Sequence, residues 1–342
     1  MMNEGDRKKV FWLLKKYSSY TAWKALEEAY VEFAKVYEYA IEHYVKMSPT
    51  STQKQVDEAI ADHWDSYKRI LDGQIAFEKG LPLLREGQRS VFRNTSTGYL
   101  ARAADAIVFI TRIMDPEEFV LDWMPNKDEV IQATQELDTR TSGLLTTCEG
   151  DDTPVVAYGM AVMFRPLNAP FNYPSRLPDV PTPIDNTINT GDTVPLTGIW
   201  EPEWEISPGL FKSLTGTPAK IEKGCMNYLL AGTGAAKYKE GELDPEINVT
   251  WRLIWADHRY EDGIIPEKEA EYLAQAASTP HQERLRVLPN ELVPKTGWWW
   301  SPAFTGADAL RHFSQGEHFP STETTNYGGV FWYYDADRQP KE

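Results

Sequence analysis

Three acids alternate behind a tryptophan in the run Trp200-Glu201-Pro202-Glu203-Trp204-Glu205. On an extended backbone this spacing puts Glu201, Glu203 and Glu205 on one face and Trp204 on the other. Carboxylates beside aromatic platforms are what glycoside hydrolysis uses, one acid protonating the leaving oxygen while a second serves as base or nucleophile. The same pattern equally describes a solvated acidic edge strand or an acidic interface. A second polar cluster, Trp255-Ala256-Asp257-His258-Arg259-Tyr260-Glu261-Asp262-Gly263, closes an alternating strand ahead of Pro266. Loops in that position are where a rigid scaffold presents functional side chains. Asp257 with His258 has the composition of an acid-base pair, and Arg259 that of a carboxylate or phosphate clamp. Internal stitching is the other reading, with Arg259 bonded to Asp257, Asp262 or backbone carbonyls.

Recognisable catalytic patterns are missing. There is no G-x-G-x-x-G, Walker loop, G-x-S-x-G elbow, H-E-x-x-H or C-x-x-C. His43, His63, His258, His281, His312 and His318 have no ligand spacing, and Cys148 and Cys225 show neither pairing nor metal spacing, so they are expected to be reduced and structural. The expectation is a protein that is not an enzyme and carries no cofactor or metal.

Bulk charge points to the kind of partner. The 342 residues carry a formal net charge of -16. Residues 1–150 hold 24 acidic and 19 basic side chains, and residues 151–342 hold 27 and 16, so the surplus is concentrated in the second half. Such a field repels nucleic acid and anionic membranes and speeds encounter with a basic protein, although solubility alone also accounts for it. No apolar run approaches the roughly 18 residues needed to cross a bilayer, and Val10-Phe11-Trp12-Leu13-Leu14 is too short for a secretory core, which gives the expectation of a cytoplasmic protein.

Two structural regimes position these residues. Up to about residue 148 the pattern is helical. Trp23, Leu26, Tyr30, Phe33, Tyr37 and Ala40 recur at helical steps, as do Val56, Ile60, Trp64, Tyr67 and Leu71. Ser51 or Thr52 can cap the second stripe, Gly80 with Pro82 is expected to end it, and Thr95-Ser96-Thr97 starts another. A short helix from Pro116 and one over Lys127–Thr147 complete a bundle of five or six. Nineteen of the 23 prolines and eight of the 12 tryptophans lie beyond residue 150, where β-structure is expected. Strands are predicted within Val155–Phe164, Asn248–Trp255 and Val330–Tyr334, with helices from Pro266 to about Ala277 and over Ala307–Phe313. Arg165 to Leu196, with seven prolines, is a candidate recognition arm or a tether. The class is therefore α+β, with a helical bundle at 1–149, a proline-rich connection with one strand at 150–196, and a tryptophan-rich α+β domain at 197–342.

Two short runs echo each other. Val194-Pro195-Leu196-Thr197-Gly198-Ile199-Trp200 recurs as Val293-Pro294-Lys295-Thr296-Gly297-Trp298-Trp299, and Gly224, Tyr228 and Ala231 are spaced like Gly329, Tyr333 and Ala336. Each first run reads as a turn feeding a tryptophan-bearing strand. Either a duplicated unit or the commonness of such turns explains the match.

As a set, T-G-I-W-E-P-E-W at 197–204, G-C-M-N-Y-L-L-A-G at 224–232, the run from Trp251 to Ala270 and G-W-W-W-S-P at 297–302 resemble the tryptophan-rich immunity proteins of bacterial polymorphic toxin and type VI secretion systems. The resemblance covers about 190 to 335, and the helical front weakly. It implies a non-catalytic protein that binds a cognate toxin, and an acidic inhibitor suits a nuclease site built for phosphate. On this reading Glu201, Glu203, Asp257, Glu261 and Asp262 face a basic toxin surface, with Arg259 beside them and Trp200, Trp204 and Tyr260 as anchors. A carbohydrate-binding or glycan-processing protein and a self-associating scaffold are the rivals.

Overall fold

Helix starts fall where the sequence has capping side chains. Ser19 accepts from the Ala22 N–H, and Thr52 with Gln55 forms a reciprocal capping box. The computed structural model describes residues 3–44, 52–114, 123–141, 143–149, 156–159, 173–183, 185–206, 220–241, 244–273, 286–287, 289–301, 310–321 and 332–334. Its helices are α1 (Glu4–Tyr17), α2 (Tyr20–Glu42), α3 (Gln53–Arg85), α4 (Tyr99–Ile113) and α5 (Lys127–Thr141). Trp23, Leu26, Tyr30, Phe33, Tyr37 and Ala40 of α2 are all buried, and α2 packs against α3 and α5 while α3 packs against α4.

Two boundaries differ from expectation for steric reasons. Gly80 and Pro82 do not end α3, which continues to Arg85. Gly80 is instead a close-approach site, since a Cβ there would lie 2.8 Å from Leu100 of α4. Pro82 costs the helix one bond, that of its missing N–H, but only three residues follow it in α3, so any bend it imposes is confined to the helix end. Likewise α5 stops at Thr141, and Gly143, in the left-handed region, turns the chain into a 3-10 turn at Leu144–Thr147. The helix expected from Pro116 lies largely outside the described residues.

Strands β1 (Val156–Tyr158), β2 (Thr187–Asn189), β3 (Gly198–Ile206), β4 (Lys220–Lys223), β5 (Asn227–Leu229), β6 (Lys237–Lys239) and β7 (Thr250–Ala256) follow, then β8 (Arg286–Val287), β9 (Gly297–Trp300), β10 (Leu310–Phe313) and β11 (Trp332–Tyr334). The protein is α+β, helices first. β3 is central: β7 pairs with it along one side, and β5 and β4 pair with its two ends on the other. β1 and β6 form a separate parallel pair. The acid-bearing segment is thus not an edge strand. The remainder of the apolar run expected as a strand to Phe164 lies outside the described residues.

Contacts divide the chain into two compact units, Met1–Ala274 and Gln275–Glu342. That division does not follow the boundaries at 149 and 197 read from the sequence, because α1 and the first sheet share one core. The described part of the proline-rich segment also joins this unit: Tyr173 packs on Trp12, and Asp179 pairs with Lys8 at 2.5 Å. After Pro266, where a helix to about Ala277 was expected, the chain forms a 3-10 turn over Glu267–Tyr272, and residues 274–277 lie outside the described residues. The second unit builds a small core from Val293, Trp299, Phe313, Phe319 and Trp332. Its residues Leu310–Phe313, expected as the end of a helix, are a strand paired with β9.

Candidate functional site

Buried acids require buried cations, and the alternating acids of β3 have them. Glu201 is fully enclosed, ion-paired with Arg7 of α1 and, at 3.1 Å, with Lys223 of β4. Glu203 is buried and takes a two-pronged bond from Arg252 of β7, at 3.2 and 3.1 Å, with Lys223 at 2.9 Å. Burial pushes the Glu203 carboxyl up, but Arg252 and Lys223 outweigh it and hold the group below its ordinary range. Trp200 is sealed in the core with its indole N–H on the Leu196 carbonyl, and half-buried Trp204 packs at a tilt against Tyr238. These carboxylates are neutralised inside the fold, so they form neither an open acid pair with an aromatic platform nor a surface reachable by a partner. Only Glu205 of the three is exposed.

The loop after β7 has a buried half and an exposed half. Asp257 accepts from Arg259 Nε at 2.8 Å and Nη2 at 2.7 Å, from the Tyr228 hydroxyl at 2.7 Å, and pairs with Arg89 at 2.9 Å. Burial pushes the Asp257 carboxyl up, yet Arg259 and Arg89 prevail and hold it below the usual carboxylate value. Arg259 also donates to the Lys15 and Ser18 carbonyls, at 2.8 and 3.2 Å, so its charge rests on the negative end of the α1 dipole. Glu269 completes the arrangement at the start of α2, accepting from the Thr21 hydroxyl at 2.9 Å. Tyr260 is buried, its hydroxyl donating to Glu269 and accepting from the Tyr20 N–H at 2.7 Å. The corner between α1 and α2 is thus held by opposite charges on its two helix ends. Asp257 and Arg259 are consumed in that joint rather than displayed as an acid-base pair or an anion clamp.

Tyr260 also has φ +71, a backbone conformation disfavoured for a bulky side chain, at a cost on the order of 1 kcal/mol. Its anchored ring and turned backbone throw the next residues outward. His258 and Glu261 bond each other at 2.8 Å with both side chains 64% exposed, and Asp262, Gly263 and Ile264 are exposed beside them. Gly263 forms part of the wall of a cleft of about 600 Å³ between α2 and α3, lined also by Tyr20, Lys24, Glu27, Phe77, Glu78, Leu81, Pro82, Arg85 and Glu86. The acids Glu27, Glu78 and Glu86 outnumber Lys24 and Arg85 there, and Lys24 is paired with Glu27 and Glu28.

Of the nine residues singled out in the sequence, then, Trp200, Glu201, Glu203, Asp257 and Tyr260 are interior, Arg259 is nearly so, Trp204 is half-buried, and Glu261 and Asp262 are at the surface. Sequence reasoning missed Arg7, Arg89, Glu269 and the α2–α3 cleft. No local pattern marks them, because each meets its partner only through the tertiary fold. Ile264, 64% exposed after Asp262-Gly263, carries a short-range signal as an apolar residue at a loop tip.

Among the described residues no group of three or more His, Cys, Asp or Glu is placed to hold a metal ion, and no helix is long and apolar enough to cross a membrane. Residues 1–151 match the family model described as Immunity protein 71, and residues 180–273 match that described as Immunity protein 72. No curated protein and no solved structure matches the chain.

Proposed function

We propose that this chain, whose two segments match immunity protein families, neutralises its cognate antibacterial toxin through the acidic rim formed by His258, Glu261, Asp262 and Ile264 beside the α2–α3 cleft. Immunity proteins of this kind act by binding, and such families are generally non-catalytic. The toxin's contacting face is basic, and a nuclease from a polymorphic toxin or type VI secretion system, met in the cytoplasm of the producing cell or its siblings, has such a face. One observation carries the choice of surface: Tyr260 is held in an unfavourable backbone conformation by Tyr20, Glu269, Arg89 and Arg259, and the product of that strain is an exposed acidic turn with an apolar tip. Ile264 supplies the apolar anchor and the acids supply steering and register.

The test is association of the full chain with the toxin domain encoded beside it. Reversal of both exposed acids, Glu261→Lys with Asp262→Lys, is expected to weaken binding roughly tenfold at low salt and to flatten its salt dependence, chiefly through the association rate. Unchanged affinity and salt dependence in that variant would remove the rim from the interface, and failure of the wild-type proteins to associate would remove the toxin-binding role.

A further inference from the structure

The outward turn after β7 is braced from behind by the chain leaving α3. Gly87, the second residue past that helix, has φ +81, and a Cβ there would lie 3.3 Å from the Glu261 nitrogen and 3.4 Å from the Tyr260 carbonyl carbon. Only glycine lets the two backbones come so near in that conformation. Two residues on, Arg89 is buried. Its guanidinium lies 4.7 Å from the centre of the Tyr260 ring, and its Nη2 both donates to the Arg259 carbonyl at 3.1 Å and pairs with Asp257 at 2.9 Å. Arg89 Nε and Nη1 have no hydrogen-bond partner among the described residues. An arginine serving only to neutralise Asp257 would present two nitrogens to the carboxylate, as Arg259 does through Nε and Nη2. Arg89 instead uses one nitrogen for two acceptors and lays its plane against the ring, an arrangement that fixes Arg259 and Tyr260 in place.

The turn is also closed by bonds of its own. The Gly263 N–H donates to the Tyr260 carbonyl at 2.9 Å, with Gly263 at φ +72, and the Ile264 N–H donates to Asp262 Oδ1 at 2.9 Å. This closure starts from Tyr260 at φ +71, which a tyrosine does not adopt unaided. We infer that Arg89 and Gly87 are positioning residues for the toxin-contacting rim, holding the 260–264 turn in its binding arrangement before the toxin arrives. The inference deepens the toxin-binding reading above and rests on it. A turn ordered in advance loses little conformational freedom on association, and the gain falls on the lifetime of the complex. The charges that steer encounter are those of Glu261 and Asp262, and they stay in place whatever stands at 87 or 89.

The experiment uses the full chain, reading hydrogen exchange at the Gly263 and Ile264 amides, the thermal midpoint, and the association and dissociation rates with the toxin domain encoded beside it. Arg89→Met, similar in length but without the fork, is expected to speed exchange at both amides and to shorten the complex lifetime, each about tenfold, with the salt slope of association as in wild type. Gly87→Ala presses a methyl group on the Glu261 backbone and is expected to act in the same direction, which keeps the test valid if Arg89→Met misfolds. Arg89→Lys retains a charge for Asp257 but no plane for Tyr260, so it is expected to recover the thermal midpoint and not the lifetime. Leu137→Ala, buried on α5, is the control: it is expected to lower the midpoint and leave both the lifetime and the two amides unchanged. A wild-type lifetime in both Arg89→Met and Gly87→Ala would overturn the positioning role and leave the rim to be judged by reversal of its acids. Lifetimes that follow the thermal midpoint across all four variants would make Arg89 a structural part only and overturn it too. No association of the wild-type proteins would remove the toxin-binding reading, and the positioning role with it.

Discussion

Asp257 shows how far a residue's role can lie from what its neighbours in sequence suggest. Beside His258 and Arg259 it reads as acid-base equipment, yet in the fold it neutralises two buried guanidinium groups and accepts from the Tyr228 hydroxyl. What decides this is Arg89, on a 3-10 turn far up the chain, and the α1 carbonyls that hold Arg259. The Glu201 pairing is as remote, since Arg7 lies 194 residues before it. Internal stitching of Arg259 was legible as one alternative, but its choice of α1 was not, because no short-range pattern encodes a contact across that separation. Replacing Asp257 by Asn removes the countercharge from two buried cations and is expected to cost about 3–5 kcal/mol in urea unfolding at pH 7. The pH dependence has a definite sign. The folded value of Asp257 lies below its unfolded value of 3.8, so its contribution is fully present above about pH 4 and is lost as the pH falls through the folded value. Unfolding midpoints taken from pH 7 down to pH 2 should therefore fall less steeply at the acid end in Asp257→Asn than in wild type; equal slopes would show that this carboxyl does not titrate between the two states.

At the scale of elements, periodicity and caps found most of the helices, and side-chain type failed where a residue has two uses. Gly80 read as a helix stop because glycine and a nearby proline commonly end helices, whereas in α3 it makes room for Leu100. Gly80→Val fills that space in a packed helix pair and is expected to lower the thermal midpoint by several degrees, corresponding to about 1–3 kcal/mol. A midpoint unchanged or raised would mean that α4 can shift away at no cost. The short strand at Leu310–Phe313 was read as helix because its strand identity is set by β9 alongside it rather than by any alternation of its own.

For the whole molecule, composition gave the class but not the joint. The change from helical stripes to proline and tryptophan is real in sequence, yet the first compact unit runs across it to Ala274, because the charged corner of α1 and α2 is completed by side chains from 257–269. The smaller unit has its own aromatic core, so Trp332→Ala is expected to destabilise it by about 3–5 kcal/mol. Hydrogen exchange should then accelerate in 286–334 while amides of α2 and α3 keep their wild-type protection. Acceleration throughout would mean that the two units unfold as one.

The clamp on the α1–α2 corner bears on how such chains can be made and recombined. During synthesis the front helices emerge long before Arg259 and Glu269, so the Lys15 and Ser18 carbonyls on one helix end and the Tyr20 and Thr21 amides on the other must wait for partners 240–248 residues further along the chain. A front segment exchanged onto a foreign partner segment would inherit the same exposed ends unless the newcomer brought an arginine and a glutamate to the same two places. The natural cassette for shuffling is accordingly the stretch through Ala274, and on the proposed reading variation in target is freest in the outward turn at 261–264.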